Sequence, residues 1–171
     1  MQGIEEIKKQ AFDLACGYES QYGCCSQCVL AALKDTVGGE KISDSVFLSA
    51  TGLGAGLAGA GYSCGALTGG IMALSCFKGR ERSNFSDPDG KRFDTFRMAR
   101  KLVDRFEAEY GVNGGDCSAV QTRLLGRSFD IVRGSREEFL AAGGHDIGYC
   151  PTVCGKSAVW VIEILDEEGL L

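Results

Sequence analysis

The sequence predicts an all-α protein, a single-domain bundle of about six to eight helices with a glycine-rich loop before a central helix. Three observations predict it. Apolar residues recur at three- and four-residue spacing in one segment after another. Glycines, prolines and capping side chains stand at the ends of those segments. No two neighbouring segments alternate apolar and polar residues as paired strands do. The chain has 171 residues, 44% of them hydrophobic and 24% charged, enough for one domain (1–171) with its own core.

The first helix covers 2–16: Ile4, Ile7, Ala11 and Leu14 share a face, and Glu5, Glu6, Lys8 and Lys9 lie outside it. A turn over 18–24 contains Gly23. The second helix, 26–37, turns Val29, Leu30 and Leu33 inward and is capped by Gly38 and Gly39. Ser43 or Asp44 caps a short helix over 45–50, with a strand there as the alternative. From Gly52 to Gly70 glycine stands almost everywhere, with one cysteine, Cys64, in the middle. This stretch reads as a close-packed loop that delivers a thiol to a helix over 64–77, whose Leu67, Ile71 and Leu74 keep helical spacing. Gly65, Gly69 and Gly70 weaken that helix and serve the close approach of another backbone.

Asp87-Pro88-Asp89-Gly90 is a turn. The longest helix, 91–110, places Phe93, Phe96, Met98, Leu102, Val103 and Phe106 on or beside one face. Asp116 caps a helix over 117–125. Ser135 caps 136–142, with Glu138 closing a capping box. The last helix covers 151–167, with Pro151 in its favoured first turn. Trp160 and its apolar neighbours read as core, or as a subunit interface of a homodimer.

A net charge of −5 argues against nucleic acid, and the basic residues over 91–105 are interleaved with Asp94 and Asp104 as on a solvated helix face. The charged start has no apolar signal core, which points to a cytoplasmic protein. The uncharged stretch 45–77 is too rich in glycine and hydroxyl residues for a membrane span. Nine cysteines in a reducing compartment read as metal-binding or catalytic before they read as disulfides.

Cys25, Cys64, Cys117 and Cys154 fall at or within the first turn of four different predicted helices. A helix N-terminus offers free N–H groups and partial positive charge, which favours thiolate. Four such ends turned to one place would gather thiolates, the form that ligates metal and attacks disulfides. Cys150 competes with Cys154 for the fourth place. Cys25 and Cys28 form a C-x-x-C at a helix start, without the βαβ setting of thioredoxin-like proteins. Cys24 is vicinal to Cys25, and Cys16 and Cys76 occupy helical packing positions.

Cys25-Ser26-Gln27, Cys64-Gly65-Ala66-Leu67-Thr68-Gly69, Gly115-Asp116-Cys117 with Leu124-Leu125-Gly126, and the helix-opening Cys154 occur in the order and context of one family. The sequence resembles the C_GCAxxG_C_C family of redox-active proteins over most of its length, departing at Cys28, where the family usually has a small residue, and at Cys150, which competes with Cys154 as the fourth member. A related domain in split-Soret cytochromes is associated with an iron–sulfur centre as well as haem. The resemblance therefore implies an iron–sulfur cluster on Cys25, Cys64, Cys117 and Cys154, with Gly61 and Gly65 beside it. Zinc would accept the same thiolates, but ligands spread over four elements in apolar, glycine-rich surroundings favour a cluster. A dithiol enzyme using Cys25/Cys28 or Cys25/Cys64 is the alternative of another class.

No C-x-x-C-H is present, so c-type haem is not expected. Gly54 to Gly59 satisfies G-x-G-x-x-G, which means dinucleotide binding only between a strand and a helix. His145 reads as an exposed loop residue, or less readily as a base for a thiol or an extra ligand. The expected function is electron transfer, with a redox partner the sequence does not name.

Overall fold

In the computed structural model, which describes residues 3–171, the chain forms α1 (Ile4–Tyr22), α2 (Cys25–Leu33), α3 (Asp44–Ser49), α4 (Gly65–Lys78), α5 (Lys91–Tyr110), α6 (Cys117–Leu125), α7 (Arg136–Ala141) and α8 (Cys150–Glu167). Among the described residues there is no strand; one antiparallel bridge pairs Ser63 with Asp116. The protein is all-α, as its apolar spacing predicts.

Helix α1 runs well past its expected end, because Ala15, Cys16 and Glu19 carry its buried stripe on against α8. Only Gly23 and Cys24 then separate α1 from α2, both at positive φ. Helix α2 closes in a wide π turn over Lys34–Gly38. The segment 45–50 is helix rather than strand; the Ser43 hydroxyl accepts from the Val46 N–H at 3.4 Å. Asp116 and Ser135 stand at the N-caps of α6 and α7, yet neither side chain caps. The Asp116 backbone is engaged in the bridge to Ser63, and Glu138 pairs with Arg127 instead of closing a capping box.

The core lies among α1, α2, α4, α5 and α8, around Leu30, Leu33, Leu74, Leu102, Phe106 and Ile162. Phe93 and Phe96 do not join it: they are 50% and 61% exposed, and the buried stripe of α5 is Thr95, Met98, Leu102, Phe106 and Tyr110. A threonine can sit in that stripe because its hydroxyl donates to the Lys78 carbonyl at 2.7 Å. On the outer side of α5, Lys101 and Arg105 pair with Glu163, Glu167 and Glu168 of and beyond α8, which accounts for the basic run as a solvated face.

Helix α4 is the centre of the bundle, and its glycines do what the sequence predicts. A Cβ on Gly69 would lie 2.4 Å from the Ser26 carbonyl oxygen of α2, and one on Gly70 would lie 2.7 Å from Leu102 of α5. Between α3 and α4 the residues Ala55, Gly56, Leu57 and Ala58 have φ of 53°, 72°, 62° and 56°. This left-handed turn costs strain wherever a Cβ is present. It also removes the strand–helix setting that the G-x-G-x-x-G match requires. No helix among the described residues is long and apolar enough to cross a membrane.

Candidate functional site

Two loops bind each other at the openings of α4 and α6. The Cys64 N–H donates to the Gly115 carbonyl at 2.7 Å, the Cys117 N–H donates to the Tyr62 carbonyl at 2.6 Å, and the Ser118 N–H donates to the Gly61 carbonyl at 3.0 Å. This lattice holds Cys64, the N-cap residue of α4, beside Cys117, the first residue of α6. The left-handed turn packs beneath them, and a Cβ on Gly56 would meet the Cys117 Cβ at 2.6 Å. Helix α2 brings Cys25 from another side, its Sγ so close to Gly65 that a Cβ there would lie 2.2 Å away. Helix α8 adds Cys150 and Cys154, and the Cys154 thiol points at the Cys25 carbonyl at 3.9 Å.

Cys25, Cys64, Cys117 and Cys154 therefore share one cavity of about 270 Å³, together with Cys150 and Cys24. One placement differs from expectation. Cys150 opens α8 ahead of Pro151, and Cys154 lies a turn further in. Gly65 touches Cys25 directly, whereas Gly61 stands behind the wall, against Ser118 of α6. Cys28 does not face the cavity: its thiol donates to the Gly23 carbonyl at 2.9 Å and it lines a separate groove with Tyr18 and Tyr22. Cys16 donates to the Pro151 carbonyl at 3.2 Å and Cys76 packs beside the core, so both are packing residues. All nine cysteines are free thiols.

The electrostatics reverse one expectation. Backbone N–H groups of Ala66 and Leu67 do reach the Cys64 sulfur, and that of Ala55 reaches Cys25. Burial outweighs them. It pushes Cys64 up to about 11 and Cys117 up to about 12, and holds Cys25, Cys150 and Cys154 well above the usual thiol range. Mutual repulsion among the thiols and the nearby Glu19 add to the effect. Helix ends lower a thiol's pKa only while the charged form keeps some hydration. Here the thiols stay protonated until a positive charge enters.

Glu19 is the functional residue that the sequence reading misses. It is buried in the cavity wall, its Oε2 has no hydrogen-bond partner, and burial raises its carboxyl to about 7 against the opposing pull of the nearby Cys28 thiol. Its position four residues after Ala15 and eight after Ala11 is the signal, once α1 is carried past residue 16. His145 is not a free loop residue: it lines the same cavity, with Nε2 3.8 Å from Glu19 Oε1. Burial and the Arg136 charge lower its pKa, against Asp146.

A single tetrahedral metal ion with sulfur ligands needs them about 3.8 Å apart, from Zn–S bonds of about 2.3 Å. Among the described residues no three His, Cys, Asp or Glu side chains gather in that way as they are arranged. The donors around the cavity are thiols from four elements, the donor type that iron–sulfur centres take.

The fold and this site together define a cysteine-rich, all-α protein whose distinctive chemistry is that of gathered thiols. Over residues 23–164 the chain matches the family described as "Putative redox-active protein (C_GCAxxG_C_C)", and it belongs to that family. No curated protein and no solved structure is similar enough to match.

Proposed function

We propose that the cavity holds an iron–sulfur cluster on Cys25, Cys64, Cys117 and one of Cys150 and Cys154, and that the protein transfers electrons. The observation that carries this is the convergence of thiols from α2, α4, α6 and α8 on one cavity. When bound, the cluster supplies one-electron transfer at thiolate-held iron. The protein's own part is to orient and to insulate. The paired loops fix Cys64 and Cys117, Gly65 leaves room for the Cys25 sulfur, and the N–H groups of Ala55, Ala66 and Leu67 are placed to hydrogen-bond sulfur, which tunes such centres. Ile131, Val132 and Phe139 give that side of the wall an apolar surface.

A dithiol role for Cys25 with Cys64 has one observation in its favour, the contact of the Cys25 sulfur with the Cys64–Gly65 corner. Burial works against it, since an exchanging thiol is most effective with a pKa near ambient pH and both of these are raised. Anaerobic purification followed by an absorption spectrum with iron, sulfide and zinc analysis separates the readings. Iron with sulfide, and absorbance that bleaches on reduction, is the expected result. A metal-free protein whose thiol count falls reversibly by two on oxidation supports the dithiol reading. Cys64→Ser should remove the centre, while Cys16→Ala and Cys76→Ala should keep wild-type iron content. Full iron in Cys64→Ser sinks the shared-site reading.

A further inference from the structure

Glu19 is the one carboxylate in the cavity wall among the described residues, and the thiol set does not use it. Its residue is 4% exposed and its Oε2 is unpartnered. Oε1 faces His145 Nε2 across 3.8 Å, a span that a small rotation or one bridging water closes. The His145 side chain is 29% exposed, so it meets solvent as well as the cavity.

The imidazole is held there by construction. Its ring stands edge-on to Phe139 at 5.3 Å, Gly144 leaves space for Phe139 where a Cβ would lie 2.2 Å from the ring, and Gly23 leaves space for the imidazole where a Cβ would lie 3.2 Å from Cε1. A buried carboxylate, a fixed imidazole and solvent thus follow one another outward from the thiols.

An electron entering a mainly apolar cavity adds a charge that the surrounding side chains screen poorly. A proton arriving with it removes the cost. We infer that Glu19 and His145 form a proton port for the redox centre. When the centre is reduced by an external one-electron donor, the Glu19 carboxylate takes up one proton from His145 Nε2 and the imidazole takes one hydronium proton from solvent in its place; when an external one-electron acceptor removes the electron, one proton leaves to solvent by the same path. This rests on the reading of the cavity as a redox site.

The groups that face Glu19 agree with the direction. Cys28 of α2 lies beside it, and the cavity thiols of α2, α4, α6 and α8 offer no positive charge. His145 faces Arg136, which disfavours a standing charge on the imidazole, and Asp146, which opposes that effect. Added negative charge on the centre strengthens proton binding at Glu19, so uptake follows reduction.

The test uses protein reconstituted with iron and sulfide, in wild-type, Glu19→Gln and His145→Gln forms, with iron content measured on each. The midpoint potential of the wild type should fall with pH around neutrality, towards about 59 mV per pH unit, the value for one proton per electron. Glu19→Gln, at wild-type iron content, should lose at least two thirds of that slope. His145→Gln should keep the slope and slow reduction at least fivefold. A flat wild-type potential, or an unchanged slope in Glu19→Gln, overturns the port. If no form takes up iron, the cluster reading has failed, and the port is tested separately. Cd²⁺ added to the metal-free protein displaces thiol protons, and their release to a pH dye should be at least fivefold slower in Glu19→Gln. Equal release rates overturn the port in that case.

Discussion

At the scale of single residues, the glycines separate into those that shape the site and those that do not. A methyl group on Gly65 would sit 2.2 Å from the Cys25 sulfur, so Gly65→Ala must rotate that thiol out of place. Iron retention in Gly65→Ala should fall by more than half, measured on protein reconstituted beside wild type. Gly17 has nothing within 4 Å of where its Cβ would be and lies exposed inside α1. Gly17→Ala should therefore gain about 0.5–1 kcal/mol through helix propensity, read by chemical denaturation, with iron content unchanged. Both glycines stand in helices of the same sequence, and only the partner across the gap tells them apart.

At the scale of elements, the helices were legible because packing and periodicity agree in them. The bounds of α5 and α6 follow directly from Gly90, Gly111, Asp116 and Gly126. The thiol set was legible too, since cysteines at helix openings have few bland explanations when four of them recur. What the sequence hid has physical causes. Helix α1 outruns its clear apolar pattern, so Glu19 goes unseen on the buried stripe. The phase of α5 is fixed by its neighbours, which leaves Phe93 and Phe96 outside. Sequence spacing carries no measure of desolvation, so the lowered thiol pKa expected from helix ends gives way to a raised one.

The left-handed turn is the other feature that sequence does not show, because Ala55, Leu57 and Ala58 are poor candidates for positive φ. Ala58 is exposed, with φ 56° and ψ 37°. Ala58→Gly should relieve the strain and stabilise the protein by about 0.5–1 kcal/mol, measured by thermal or chemical unfolding. A loss of stability instead would mean that the turn is not left-handed in solution.

At the scale of the whole molecule, the buried Glu19 links folding to pH. Its carboxyl is raised to about 7 in the folded protein, against about 4.3 when unfolded. The folded state therefore holds the proton more tightly. The stabilisation is complete below the unfolded value and is lost as pH rises through about 7. Metal-free protein should be less stable at about pH 8 than at about pH 5.5, with a Glu19 contribution of about 2 kcal/mol. Glu19→Gln should flatten that dependence and exceed wild type at the higher pH, in denaturant titrations at both. The lowered carboxyls of Asp87 and Glu168 act at more acid pH and the raised thiols at more alkaline pH; the lowered His145 works in the opposite direction within the window, so the difference between wild type and Glu19→Gln is the reading that assigns the effect to Glu19.

The cavity draws on residues 19, 25, 64, 117 and 150, and α8 lies against α1 in the most extensive helix pairing of the fold. During synthesis the ribosome releases α1 first and α8 long afterwards. Until α8 has emerged, the other thiols have no enclosure and the apolar face of α1 has no cover. A nascent chain therefore carries its thiols uncovered until α8 can pack against α1.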